Sequence, residues 1–263
     1  MFSKILYINL DRRHDRKENV DAQLKIIRYN GPVDRISAVD AKQLDFSIIP
    51  KTFVTSDGMK TATSKETPVY TYLTKGGIGC ALSHKRVFEQ ILYGKDEYVL
   101  ILEDDIWFDK EFSEKLKKKL EKVPEYDILW LGYHTKSNIR SLEHFDVPDK
   151  LYGLFGYIIN RKAASKLLDI FPITWQIDSE IPKMFPSLRV YALKEQDRIV
   201  FSEPSQVSYA FGTDIQHRED FENTKSENTK SEIVHSRMIK PHTLLIVCLI
   251  FYLIYYIYTK SKK

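Results

Sequence analysis

An α/β domain on a mainly parallel sheet is what this sequence predicts, and three features predict it. Apolar runs rich in β-branched and aromatic residues recur at Phe2–Leu10, in "YVLIL" (98–102) and in "YDILWLG" (126–132). Segments with apolar residues three and four apart stand between them, the period of helices rather than strands. Strands alternating with helical patterns imply crossover connections and parallel pairing. A chain of 263 residues with 43% hydrophobic and 29% charged content has the make-up of a folded domain.

Taken in order, Phe2–Leu10 is a first strand, too short in its apolar core and lacking a small-residue cleavage site for a signal peptide. Polar "DRRHDR" follows, then an amphipathic helix to about Tyr29, then a short strand in "VDRISAVDA" (33–41). From there to Lys75 the chain is rich in Thr, Ser, Lys and Pro without period, which predicts a long binding loop. "GGIGCALSHKRVFEQIL" opens with glycines and turns helical, with His84, Val87, Phe88 and Ile91 on one stripe. The strand 98–102, a charged helix to Val123 and the buried strand 126–132 come next. "LYGLFGYIINRKAASKLLDI" (151–170) reads as a strand passing into a helix, and "RVYAL" and "IVF" as later strands.

Charge is balanced where the domain lies. Lys240, Lys260, Lys262 and Lys263 account for the formal net charge of +4, leaving 36 bases and 36 acids up to residue 239. A nucleic-acid footprint needs a basic excess on one face, so that class is disfavoured. The dense run "KLKKKLEK" (115–122) has interleaved leucines and reads as the solvated side of a helix. Two cysteines, Cys80 and Cys248, supply neither a disulfide framework nor a zinc cluster. With no Asn-x-Ser/Thr acceptor in the chain, a cytosolic domain is expected.

Composition divides the chain into a globular domain at 1–220, a polar linker at 221–242 containing the duplicated "ENTKSENTKS", and an apolar tail at 243–259. "TLLIVCLIFYLIYYIY" (243–258) is sixteen uncharged residues bounded by bases. As a helix it would be about 24 Å long, short against a hydrocarbon core of about 30 Å, and its tyrosines suit an interface. The expectation is a single-pass transmembrane tail anchor, with a buried C-terminal helix as the alternative; flanking bases at both ends leave the orientation open.

The chemistry gathers where "YVLILEDDIWF" drives an apolar run into Glu103, Asp104 and Asp105. In open α/β sheets ligands collect beyond the carboxyl ends of strands. Extended backbone would put Glu103 and Asp105 on one face and Asp104 on the other. That same-face pair, at about 7 Å and an effective dielectric near 20, repels by about 2 kcal/mol. A divalent cation removes the cost, and hard oxygen ligands favour Mn²⁺ or Mg²⁺ bridging to phosphates. Three solvated acids capping the next helix are the alternative.

Four stretches in order, "YINLDRRHDR", "GGIGCALSH", "LILEDDIWF" and "GTDIQ", resemble glycosyltransferase family 25, the lipopolysaccharide-biosynthesis and procollagen galactosyltransferase group, over about Phe2–Gln216. The chain departs from the family's pattern at His14, Ala41 and Phe88. The resemblance implies a GT-A-type, Rossmann-like nucleotide-sugar domain, Mn²⁺, a UDP-sugar donor and inverting transfer of a hexose to a hydroxyl. By it, Glu103, Asp104 and Asp105 are the metal and nucleotide triplet, and Asn9, Arg12, Arg13 and Arg16 lie beside the nucleotide. Gly76, Gly79, Ser83 and His84 form the glycine-and-histidine element, although His84, on the apolar stripe, reads on spacing as a core histidine. Arginines at those positions pair with a diphosphate or hold acids of the fold.

An inverting transfer needs a base for the acceptor hydroxyl. Asp178 in "WQIDSEI" is the first choice, with Glu180 and Asp214 as competitors. Asp214 or His217 is the candidate third metal ligand, and Trp175 a candidate sugar-stacking or rim aromatic. Two readings from other classes are an inactive tail-anchored interaction protein and a phosphohydrolase using the same acids.

Overall fold

The computed structural model describes residues 2–64 and 72–202. Asp214, His217, the 221–242 linker and the 243–259 tail lie outside the described residues. Among the described residues no helix is long and apolar enough to cross a membrane.

The elements follow the expected order with additions. They are β1 (Lys4–Asn9), α1 (His14–Ile26), β2 (Val33–Ser37), α2 (Ser56–Thr63), α3 (Lys75–Tyr93), β3 (Tyr98–Leu102) and β4 (Trp107–Phe108). After these come α4 (Phe112–Leu120), β5 (Ile128–Gly132), β6 (Thr135–Ser141), β7 (Phe145–Tyr152) and β8 (Gly156–Asn160). The last are α5 (Arg161–Leu168), α6 (Ile177–Glu180), β9 (Val190–Leu193) and β10 (Val200–Phe201).

Eight strands form one sheet in the order β2-β1-β3-β8-β5-β9-β7-β6, and β10 pairs with β4 apart from it. The sheet is mainly parallel in strand direction, as the sequence predicts, with two reversed strands inserted. β1 pairs in parallel with β2 and β3, and β5 with β9, but β8 runs antiparallel between β3 and β5, and β7 antiparallel between β9 and β6. Six strands still point one way. The chain reverses at the β6–β7 hairpin, whose short connection leaves no room for a crossover helix, and β8 follows β7 in the same direction.

Alternation explains why the central strands read as unbroken apolar runs. In β1, Leu6 and Ile8 join one core while Ile5 and Tyr7 join the other; Val99 and Ile101 oppose Leu100 and Leu102 in β3; Ile128 and Trp130 oppose Leu129 and Leu131 in β5. The first core takes Val87, Phe88 and Ile91 of α3 with Ala163 and Leu167 of α5. The second takes Val20 and Leu24 of α1 with Phe112 and Leu116 of α4. A sheet covered on both faces needs apolar residues at both parities.

Helix ends are fixed locally. Thr74 Oγ1 accepts from the Gly77 N–H at 2.9 Å to start α3, and Asn160 Oδ1 accepts from the Ala163 N–H at 2.8 Å to start α5. The lysine run lies on α4 as expected: Leu116 is buried, while Lys115 and Lys119 pair with Asp109 and Asp197. The stretch read as one long loop contains α2, capped by Thr55, whose Oγ1 accepts from the Gly58 N–H.

Because the two cores are separated by the sheet, damage to one should not be felt by the other. Ile5 and Ile128 are both fully buried, in different cores, on strands with β3 and β8 between them. Ile5→Val and Ile128→Val should each cost about 0.5–1.5 kcal/mol, and the double variant should match their sum within about 0.5 kcal/mol. Urea denaturation of the three variants measures this; strong coupling would contradict the two-core packing.

Candidate active site

β1 and β3 lie side by side in parallel, with Tyr7 opposite Leu102, so Asn9 and the Glu103–Asp105 turn emerge at the same sheet edge. β8 enters that edge from the other direction, Gly156 opposite Leu102, and Glu103 N–H donates to Phe155 O at 3.4 Å. The edge thus lies beyond the carboxyl ends of β1 and β3, the position at which open α/β sheets bind ligands.

Strand geometry stops at Leu102, and the triplet lies in a bend. The alternation of extended backbone therefore does not apply to it, and Arg16 Nη1 lies near both Asp104 and Asp105. Asp104 turns inward, 6% exposed, where Oδ1 accepts from Arg16 Nη1 at 2.8 Å and Oδ2 from Asn9 Nδ2 at 2.8 Å. Burial raises its carboxyl above the usual range although Arg16 and Asn9 oppose the shift. Both its oxygens are thereby committed to the fold.

Glu103 and Asp105 are held less tightly, Asp105 Oδ1 accepting a long bond from Ser202 Oγ at 3.4 Å. The Asp105 carboxyl is pushed up from 3.8 to about 7, first by burial and then by the charge of Glu103, against the pull of Arg16 Nη1 at 3.5 Å. A desolvated Asp105 beside the partly exposed Glu103 makes an oxygen pair that a hard divalent cation would suit, removing the burial cost of Asp105 and its repulsion by Glu103.

The N-terminal arginines hold acids of the fold, the second of the two roles open to them. Arg12 Nε donates to Asp40 Oδ2 at 2.7 Å, Arg13 chelates Asp15 at 2.8–2.9 Å, and Arg16 takes Asp104. Asn9 accepts from Arg35 Nη1 at 3.1 Å while donating to Asp104 and to Arg13 O.

Within the glycine-and-histidine element the small residues serve packing. A Cβ on Gly79 would stand 2.6 Å from Val39 O, and Ser83 Oγ accepts from Val39 N–H at 2.8 Å while donating to Gly79 O. Gly76 sits in the first turn of α3, beside Gly77, where a Cβ would collide with the Gln176 side chain. His84 is fully buried as the spacing implied, and Nδ1 lies 2.9 Å from Tyr157 Oη. It is not inert packing, because Nε2 faces Glu103 Oε1 at 3.5 Å and has no hydrogen-bond partner.

Asp178 reaches the same edge from α6. Burial raises its carboxyl, the charge of Glu103 adds to this, and backbone groups of Gly153 and Ser179 oppose the shift. Gly153, at φ +100°, occupies the left-handed region, and a Cβ there would lie 2.9 Å from His134 N. Glu180, the competitor within the described residues, is 2% exposed and accepts from the Thr174 and Trp175 N–H groups at 3.0 and 2.8 Å, which ties it to its own turn. Trp175 is 38% exposed, its ring centroid 5.4 Å from that of Tyr72, and so lies at a rim.

The sequence reading missed Cys80 and Tyr157. Cys80 lies four residues before His84 on α3, a spacing that puts both on one helix face, and the ligand atoms of Cys80, His84 and Glu103 lie within 4.8 Å of one another. The expectation that two cysteines leave no metal cluster overlooked a mixed Cys–His–Glu set. Tyr157 comes from β8, whose reversed insertion no spacing announced.

Fold and site together define an α/β domain with acids gathered where the parallel strands β1 and β3 end. The family model described as glycosyltransferase family 25 (LPS biosynthesis protein) matches residues 2–181, and the chain belongs to that family. It is 27% identical over 207 residues to procollagen galactosyltransferase 2 of Homo sapiens, covering 74% of this chain and 32% of that protein. It is 28% identical over 196 residues to the probable inactive glycosyltransferase 25 family member 3 of Bos taurus, and 30% over 196 residues to the inactive family member 3 of Homo sapiens. Both matches cover 70% of this chain and 32% of the relative. The chain thus spans about a third of the length of these curated relatives.

A raised carboxyl pKa in the fold means that the folded state holds a proton the unfolded chain has released. For Asp105 this stabilisation is full below about pH 4 and disappears as pH rises through about 7. Thermal melts of wild type and Asp105→Asn without divalent ions should therefore converge at pH 4 and diverge by pH 8, with the wild type the more weakened. Manganese should narrow the gap at pH 8. Parallel pH profiles would show that Asp105 is not desolvated in this way.

Proposed function

We propose that the chain is a metal-dependent glycosyltransferase of the GT-A type. It would move a hexose, galactose or glucose, from a UDP-sugar to a hydroxyl of a protein, glycan or lipid-linked acceptor, with inversion. The observation that carries the reading is the convergence of Glu103, Asp105 and Asp178 at one sheet edge, where burial and the charge of Glu103 raise the other two carboxyls. The names of the procollagen galactosyltransferase relatives support the sugar-transfer class.

In such a reaction the acceptor oxygen bonds to the anomeric carbon while the sugar–phosphate bond breaks and its electron pair leaves with UDP. Asp178 takes the acceptor's proton, and its raised pKa makes it a stronger base than an ordinary aspartate. Glu103 and Asp105 would hold Mn²⁺ or Mg²⁺, whose charge offsets that of the departing diphosphate. Asn9, Arg16 and Asp104 position the turn that carries those two ligands. Arg12 and Arg13 shape the neighbouring wall through Asp40 and Asp15.

Asp178→Asn should lower kcat by about 10²–10⁴-fold while leaving UDP affinity in the presence of manganese unchanged. The assay is UDP release from UDP-galactose and UDP-glucose with an acceptor screen. Undiminished turnover would remove Asp178 from the base role. The inactive relatives favour a second reading, a binding scaffold without turnover. UDP binding by calorimetry with no product from any acceptor would favour it. UDP-sugar cleavage indifferent to acceptor would favour a phosphohydrolase.

We further propose that the apolar run 243–258 anchors the chain in a membrane with the domain on the cytosolic side. Full-length protein should sediment with membranes and resist carbonate extraction, and protease added to sealed vesicles carrying it outward should remove the domain. Release by carbonate would contradict the anchor.

A further inference from the structure

His84 Nε2 is fully buried, lacks a hydrogen-bond partner and points at a carboxylate. A buried polar atom left unpaired costs about 1–3 kcal/mol, so a group lying between His84 and Glu103 would explain the arrangement. Cys80 is the third neighbour, partly buried and on the same face of α3.

We propose that Cys80, His84 and Glu103 form a binding site for a thiophilic divalent ion such as Zn²⁺, distinct from the carboxylate pair that suits Mn²⁺. Sulfur, imidazole and carboxylate together are a zinc-type donor set, whereas a hard cation takes oxygens. Spacing agrees with this. Tetrahedral zinc with bonds of about 2.0–2.2 Å to nitrogen and oxygen holds those two atoms about 3.4 Å apart, and His84 Nε2 lies 3.5 Å from Glu103 Oε1. The three ligand atoms fall within 4.8 Å of one another, so a small inward turn of Cys80 or Glu103 closes the set. Three protein ligands leave a fourth position open to water.

The surroundings present the histidine correctly. Tyr157 Oη, on a fully buried residue, lies 2.9 Å from Nδ1 and can accept its proton, which leaves the Nε2 lone pair facing the site. As the metal–sulfur bond forms, the Cys80 thiol releases its proton to solvent. The ion would also take Glu103 away from Asp105. If the transferase reading holds, thiophilic ions inhibit by claiming this shared ligand.

Co²⁺ is the probe, added to the full chain freed of metal. It should give a thiolate-to-cobalt charge-transfer band in the near ultraviolet, bleached by Zn²⁺, lost in Cys80→Ser and kept in Cys248→Ser. Tyr157→Phe should keep the band but weaken cobalt affinity about 10–100-fold. Circular dichroism of the metal-free variants checks that each folds. No band in the wild type, or a band that survives Cys80→Ser, overturns the proposal. Neither result bears on manganese-dependent UDP release, so the site and the transferase reading fail separately; zinc inhibition of that release, relieved in Cys80→Ser, would join them.

Discussion

The candidate site depends on one buried ion pair, Arg16 with Asp104. The partners are 10% and 8% exposed at their side chains and come from helix and turn 88 residues apart. Such a pair adds little stability relative to apolar packing, but losing one partner strands a charge and costs about 3–5 kcal/mol. Its value here is positional. By holding Asp104 inward with Asn9, it fixes the turn that carries Glu103 and Asp105. Arg16 Nη1 also lies 3.5 Å from Asp105, close enough to moderate its charge without neutralising it.

Reversal of β8 is the second constraint. Were β8 parallel to β3, its opposite end would reach the site, and Tyr157 could not meet His84 beside Glu103. Running antiparallel, it brings Gly153, Phe155, Gly156 and Tyr157 to the edge where β1 and β3 finish. The left-handed Gly153 lets the chain turn close to His134 just before the strand begins, and its backbone helps to hold Asp178. Residues from α3, β3, β8 and α6 meet at this edge, although no two of these elements share a local sequence pattern.

What could be read from sequence follows from this. β1, β3 and β5 were legible because a sheet covered on both faces writes an unbroken apolar run into each strand. β6 was not: all but Lys136 of Thr135–Ser141 is exposed, so no burial pattern marks it. The helix α2 was hidden in a polar stretch whose only strong signal is the Thr55 cap. Among site residues the acids were visible as a cluster, but their separate roles were set by Asn9 and Arg16, about ninety positions away. The four-residue spacing of Cys80 and His84 is a signal the sequence carries but that was missed, whereas Tyr157, which lies against the histidine, belongs to a strand whose reversal depends on tertiary pairing.

Glu103 is where these constraints meet. Toward Asp105 it completes a pair of hard oxygen donors; toward His84 and Cys80 it completes a mixed set with nitrogen and sulfur. A glutamate has one more rotatable bond than an aspartate, and at 25% side-chain exposure Glu103 has room to use it. Asp104 and Asp105 are shorter and tied through Arg16, so the first acid of the triplet is the one able to change partners. A single carboxylate cannot serve two cations of different preference at full strength. Occupancy of one proposed set would therefore weaken the other, and the ion bound would decide which way this side chain points.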